Sequence, residues 1–283
     1  MRPFNHFTPT TLSEALSLLA EHNGKTSVIA GGTDLLLKMK AGLRKSNVVV
    51  NIKRLPNLNC LTFNAIDGLK LGALTTLREL TRSPIIFEHY PVLAQTAHIM
   101  ASEQIRSLAT VGGNLCNAAP SADLAPPLIA LGASVNLISS AGERRIPLEN
   151  FFVGPGKSAL QPGELLKEIT LPPPVGKTAY LKHSPRVYMD IAIVGVAVRI
   201  QFEGDRFACR EARVVLGAVA PVPLRAHQSE DVLAGQNLTE ERILQAAKAA
   251  GQECSPIDDV RGAAWYRRRM VEVLLKRGIK SIQ

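Results

Sequence analysis

Cysteine is scarce and scattered in this chain. Its four cysteines, Cys60, Cys116, Cys209 and Cys254, include no Cys-x-x-Cys pair. A zinc or iron–sulfur site needs several thiolates close together, so this spacing excludes a locally built cluster. The six histidines show no metal spacing either, and no metal ligand is expected. All four thiols are expected to be buried and reduced. Aromatics are only 5% of the residues, with a single Trp, so the core must be mainly Leu, Val, Ile and Ala. No apolar run approaches the ~20 residues of a membrane span. The start, MRPFNHFTPTTLSEALSLL, is interrupted by Pro3, His6 and Pro9 and has no small-residue cleavage site, so no secretory signal is expected. The expectation is a soluble, cytoplasmic protein. The Walker phosphate loop and the Gly-x-Gly-x-x-Gly fingerprint are missing as well.

What is present is enough for one large domain or two ordinary ones: 283 residues, 46% of them apolar. The net charge of +9 is uneven, because residues 261–283 hold seven Lys/Arg against the single acid Glu272. That tail reads as an amphipathic helix. Trp265, Val271, Leu274 and Leu275 are expected on its apolar face, and Arg267, Arg268 and Lys276 on a solvent or subunit face.

Local signals divide the rest. Thr11-x-x-Glu14 is a capping box opening a helix that Asn23-Gly24 should end. TSVIA (26–30) is a strand running into GGTDLLLKMKAG, a helix-like stretch that stops at Gly42. NVVVNI (47–52) is a strand buried on both faces. GLKLGA (68–73) is another strand, followed by helices in TTLRELTRSP and YPVLAQTAHIMAS. SVNLIS and RRIPLENFF form a hairpin across residues 139–142, and ELLKEITLP is a strand ending in Pro172-Pro173-Pro174, read as a linker. Beyond it, long strands precede two long helices, the pattern of an antiparallel sheet with helices on one face.

Two Gly-Gly turns carry the chemistry: Ala30-Gly31-Gly32-Thr33-Asp34 after a strand, and Thr110-Val111-Gly112-Gly113-Asn114. Adjacent glycines let backbone approach a ligand, and successive N–H groups can converge on an anion as a nest. Thr33, Thr110 and Asn114 add side-chain donors. Asp34 and Asp123 are acceptors suited to sugar or ribityl hydroxyls. Neither loop contains Lys or Arg, so neutral amides would hold the anion. On residues alone this implies a nucleotide or dinucleotide cofactor and nothing finer.

The segments VIAGGTDLLLKMKAG and TVGGNLCNAAPSADLAPPLIALGASV, in this order, resemble the flavin-binding medium subunit of molybdenum hydroxylases, the family of carbon monoxide dehydrogenase and bacterial xanthine dehydrogenase flavoproteins. FNHFTPTTLSEALSLL, GELLKEITLP and YLKHSPRVYMDIAIVGVAV extend the resemblance over nearly the whole chain. It implies an α+β fold. A two-subdomain FAD-binding fold of the vanillyl-alcohol-oxidase type (residues 1–55 and 56–175) is followed by a C-terminal α+β flavoprotein domain (178–283).

The resemblance also implies roles. Val28, Ile29, Ala30, Gly31, Gly32, Thr33, Asp34 and Leu35 would wrap the FAD diphosphate from one side. Thr110, Val111, Gly112, Gly113 and Asn114 would do so from the other, with Asn117 nearby. Asp123 would bond a sugar or ribityl hydroxyl. Met100 and Ala101 would lie along the cofactor, Leu166 against a ring, and Lys182 would reach it from the third domain. Arg186 to Ile191 would lie at the isoalloxazine edge.

The implied enzyme is a heterotrimer, or a dimer of heterotrimers. Its large subunit binds molybdopterin, and its small subunit carries [2Fe–2S] clusters. This chain would pass electrons through FAD to NAD⁺, a quinone or another acceptor. No catalytic residue is expected here, because the flavin does the redox chemistry. Substrate contacts belong to the large subunit. The cysteine-rich insert of the 4-hydroxybenzoyl-CoA reductase branch is missing.

Two other readings compete with this one. A flavin oxidoreductase acting alone would need acid–base residues near the ring, and often a His or Cys for covalent attachment. A non-catalytic module gripping nucleic acid through the basic helix would need an aromatic platform or recognition motif. The chain offers neither set.

Overall fold

The computed structural model describes residues 2–22, 26–204 and 208–283. The expected helix stop at Asn23-Gly24 lies outside them. The chain begins with β1 (Asn5–Phe7), α1 (Leu12–Glu21), β2 (Thr26–Ile29), α2 (Leu35–Lys40) and β3 (Val48–Asn51). These strands form a parallel sheet in the order β1-β3-β2. The central strand carries Val48, Val49 and Val50, all buried, because it has neighbours on both sides and cover on both faces. Thr11 caps α1 by accepting from the Glu14 N–H at 3.2 Å. The Glu14 carboxylate accepts from Thr10 rather than Thr11, so the box closes one residue early.

The next stretch runs β4 (Leu61–Asn64), β5 (Gly68–Gly72), α3 (Leu77–Leu80), α4 (Pro84–His89), α5 (Pro91–Ile99), α6 (Glu103–Arg106), α7 (Val111–Asn117) and α8 (Ala125–Ala130). It continues with β6 (Ser134–Ser139), β7 (Gly142–Pro147), β8 (Phe152–Gly154), β9 (Lys157–Ser158) and β10 (Leu165–Leu171). The antiparallel sheet has the order β4-β5-β10-β6-β7, and β8 pairs with β9 apart from it. Leu69, Leu71, Val135, Leu137, Ile169 and Leu171 alternate onto one face and pack with α3, α4, α5, α7 and α8. A full capping box, Thr76 with Glu79, starts α3. The proline run after β10 is anchored rather than a free linker. The buried Tyr90 hydroxyl donates to the Pro172 carbonyl at 2.7 Å, and burial pushes its pKa up to about 12.

The last unit contains β11 (Lys177–His183), β12 (Val194–Glu203), β13 (Ala208–Gly217), β14 (Leu224–Arg225), α9 (His227–Leu233), β15 (Gln236–Asn237), α10 (Glu240–Glu253) and α11 (Ala264–Ile282). Its antiparallel sheet has the order β11-β12-β13-β14, with β15 on β13. One face, with Val194, Val196, Val198, Val214 and Leu216, lies under the helices. The other face presents Tyr180, Ala197 and Val215 to the core of the preceding unit. The fold class matches the sequence expectation, and so do the helices on one face of this sheet, while α7 occupies a stretch expected to be a loop.

The tail helix does not. Arg267 is 3% exposed and Trp265 is 71% exposed. The buried stripe of α11 is Arg267, Val271, Leu274, Leu275, Gly278, Ile279 and Ile282, and Trp265 falls off it. Arg267 is held inside by the Ile193 carbonyl at 3.2 Å, the Ala218 carbonyl at 3.1 Å and Asp259 at 2.6 Å. A fully hydrogen-bonded guanidinium is thus tolerated where an apolar side chain was expected. The thiols also differ from expectation: Cys209 and Cys254 are buried, while Cys60 and Cys116 are half-buried.

Candidate functional site

A cleft of about 540 Å³ opens between the parallel sheet and the second sheet. Three walls build it. β2 delivers the first glycine loop, α7 carries the second, and the stretch from β9 into β10 closes the far side.

Gly31 is where the first two walls meet. A Cβ there would stand 2.2 Å from the Leu108 carbonyl oxygen, so only glycine lets the loop lie against the segment leading to Thr110. Among the described residues no acceptor meets the N–H groups of Gly31, Gly32, Thr33 or Asp34. These four consecutive amides are left free to meet a ligand, as a nest would require.

The second loop differs from expectation. Val111 N–H donates to the Thr75 carbonyl and Gly112 N–H to that of Ala73, both at 2.9 Å. Gly113 N–H donates to Thr110 Oγ1 at 3.0 Å, and Asn114 N–H to the Thr110 carbonyl at 2.9 Å. Its amides fasten α7 to the β5–α3 turn and form no nest. Gly112 is needed for that packing, because a Cβ would meet the Ala73 oxygen at 2.6 Å. The wall instead offers side chains to a ligand. Asn114 Oδ1 is buried with no partner among the described residues, an acceptor awaiting a donor.

The fold also supplies what the loops lack. Lys38 of α2 donates to Asn117 Oδ1 of α7, joining two walls, and both residues line the cleft. Arg44 lines it too, held by Ser27 Oγ at 2.9 Å and the Thr26 carbonyl at 3.2 Å. The third wall was not foreseen. Its turn, Gln161 to Glu164, is fixed by a bidentate pair of Arg144 with Glu164 at 2.6 and 2.7 Å. The Gln161 N–H reaches the same carboxylate at 2.7 Å. Pro162-Gly163 is a turn signal that could have pointed to it; the arginine 20 residues away carries none.

Arg144 holds the Glu164 carboxyl below its ordinary range. A depressed carboxylate contributes stability that is present above its unfolded pKa, about 4.3, and lost as pH falls through the folded value. Glu164→Gln should therefore lower the melting temperature at pH 6 and leave it unchanged at the acid end. A variant as stable as the unaltered chain across that whole range would show that the pair does not fix the turn.

Other expected site residues fall in different places. Val28, Ala30, Leu35, Asn117 and Leu166 line the cleft, whereas Ile29, Val111 and Met100 turn into the core. Ala101 has φ +47°, and its carbonyl, with those of His98 and Met100, accepts from the Arg106 guanidinium. Asp123 and Lys182 pair with each other at 2.9 Å, both side chains under 10% exposed. Tyr180 donates to the other Asp123 oxygen at 2.7 Å. Burial pushes the Asp123 carboxyl up against the pull of Lys182 and Tyr180, and pushes the Tyr180 hydroxyl well up. Lys182 also donates to the Asp190 carbonyl at 2.7 Å, which ties down the connection where Val187, Tyr188, Met189 and Ile191 are exposed. Cys116 lines the cleft, and desolvation pushes its thiol up to about 12. Among the described residues no helix is long and apolar enough to cross a membrane.

Comparison with known proteins places this geometry. The family described as the FAD binding domain in molybdopterin dehydrogenase matches residues 2–174, and the CO dehydrogenase flavoprotein C-terminal domain matches 179–282. The chain is 32% identical over 275 residues to the xanthine dehydrogenase FAD-binding subunit of Escherichia coli O157:H7, covering 96% of this chain and 93% of that one. It is 30% identical to the carbon monoxide dehydrogenase medium chain of Hydrogenophaga pseudoflava, covering 98% and 96%. A chain in the structure of the H. pseudoflava enzyme, in a form lacking the Mo-pyranopterin moiety, superposes with a TM-score of 0.95 at 31% identity, covering 99% and 97%.

Proposed function

We propose a function from one premise: this chain belongs to the family of FAD-binding medium subunits of molybdenum hydroxylases, and is an oxidoreductase subunit. On that premise it is the electron-transferring subunit of a complex with a molybdopterin-binding large subunit and a [2Fe–2S] small subunit. It takes electrons from the nearer cluster and delivers them to NAD⁺ or another acceptor. Bound FAD supplies the redox chemistry, since a flavin exchanges electrons singly or in pairs.

The chain's own residues hold and orient that group. The free amides of Gly31 to Asp34 carry the reading: they are a donor set for a diphosphate, within the stretch of chain, residues 2–174, that matches the FAD binding domain. Asn114 offers its unpaired oxygen to a hydroxyl of the cofactor. Val28, Ala30, Leu35 and Leu166 give apolar surface to its rings. The exposed connection from Arg186 to Ile191 is the side from which an acceptor approaches. We take residues 1–55 and 56–175 as the two FAD-binding subdomains and 178–283 as the C-terminal domain.

The test is to purify the full chain with its partner subunits, release the cofactor by heat and weigh it. FAD, copurifying with a molybdopterin and an iron–sulfur subunit, is the expected result. A folded complex that holds no flavin would sink the reading.

A further inference from the structure

We propose that Lys38 is a direct electrostatic contact for the cofactor's diphosphate, a role that rests on the FAD reading of the cleft. Neither glycine loop contains a cation, and the second loop's amides are engaged within the protein. Without a cation the anionic diphosphate would depend on one nest of neutral donors. Lys38 stands one helical turn beyond that nest, its own N–H donating to the Asp34 carbonyl at 3.0 Å. Its ammonium therefore belongs to the same wall as the free amides.

On the facing wall the ammonium meets Asn117 Oδ1, across 79 positions of sequence. That oxygen is uncharged and accepts only one of the ammonium's donors. No carboxylate pairs with Lys38 among the described residues, and Glu164 of the third wall is taken by Arg144. The ammonium thus forms no ion pair within the protein and faces a cleft lined also by Arg44, by Asp34 and by Glu164, the last already paired with Arg144. Cations on the wall of a partly enclosed cleft act on an anion more strongly than they would in open water. Lys38 then has two tasks: it bridges the walls through Asn117 and supplies the countercharge where the diphosphate crosses between them. Riboflavin, which has no phosphate, should not sense the second task.

The experiment titrates the full-length chain, stripped of flavin, with FAD and separately with riboflavin, following quenching of flavin fluorescence at low and high salt. Lys38→Gln should weaken FAD binding by about tenfold or more, flatten its salt dependence and leave riboflavin affinity unchanged. Lys38→Arg should restore FAD binding, and Asn117→Leu, which breaks the bridge but keeps the charge, should keep the salt dependence. Equal losses for FAD and riboflavin in Lys38→Gln would overturn the proposal and leave Lys38 as a brace between walls. So would unchanged FAD binding in that variant. If the variant does not fold, the unaltered chain decides by itself, because salt-insensitive FAD binding overturns the countercharge. A folded chain that takes up neither flavin fails the FAD reading instead, and the proposal with it.

Discussion

Asp123→Ala is expected to cost about 3–5 kcal/mol of stability, the loss that follows when one partner of a buried ion pair is removed. The variant would leave the Lys182 ammonium, whose side chain is 7% exposed, without a countercharge. The Tyr180 hydroxyl would lose its acceptor as well. Because Asp123 lies between α7 and α8 while Tyr180 and Lys182 lie on β11, the loss should loosen the seat of the C-terminal sheet on the preceding unit. Asp123→Leu combined with Lys182→Met should be less damaging than Asp123→Ala, since it removes both charges together. Urea unfolding of the three chains measures this. A cost below about 1 kcal/mol for Asp123→Ala, a value typical of exposed pairs, would show that the pair is solvated. The same variants separate two roles. If FAD affinity falls while stability holds, Asp123 serves the cofactor, as the family resemblance implies, rather than the seam.

Gly31→Ala is expected to weaken FAD retention by well over tenfold and to cost about 1–3 kcal/mol, as forced overpacking does. The added carbon would stand 2.2 Å from a backbone oxygen, which cannot swing away as a side chain can. Relief requires the first loop to back off from Leu108, and that shift carries the free amides of Gly31 to Asp34 with it. Gly113→Ala is the internal control. Its Cβ would meet Thr110 Oγ1 at 2.9 Å, so the α7 cap must shift, but no backbone is in the way and the first loop's amides stay in place, so its effect on FAD retention should be smaller than that of Gly31→Ala. FAD dissociation rates and melting temperatures of the two variants decide the matter. A Gly31→Ala chain that holds FAD like the unaltered one would mean that the two walls need not touch.

Much of this was legible before any coordinates. The helix starts at Thr11 and in TTLRELTRSP, the buried run Val48 to Val50, the hairpin around residues 139–142 and the first glycine turn are all written within a few residues, whereas the second glycine pair lies in the first turn of α7. Local backbone preference and side-chain period fix such features. The paired glycine motifs were specific enough to point to the family.

What the sequence could not settle is what those segments touch. It offered two equivalent nests, but Ala73, Thr75 and Thr110 engage the amides of the second, while those of the first stay free. Nothing in the spacing said that Lys38 would meet Asn117, that Arg144 would hold Glu164, or that Asp123 would be taken by Lys182. The period of the tail helix put Trp265 inside and Arg267 outside. Tertiary structure reversed them, because carbonyls from Ile193 and Ala218 and the Asp259 carboxylate satisfy the guanidinium. A hydrogen bond or ion pair depends on the position of both partners. When the partners lie tens of residues apart, only the packing of whole elements brings them together. The sequence by itself therefore determined the fold class, the longer strands and helices and the first glycine turn. The tertiary structure decided which of their donors and charges remain free to hold a ligand.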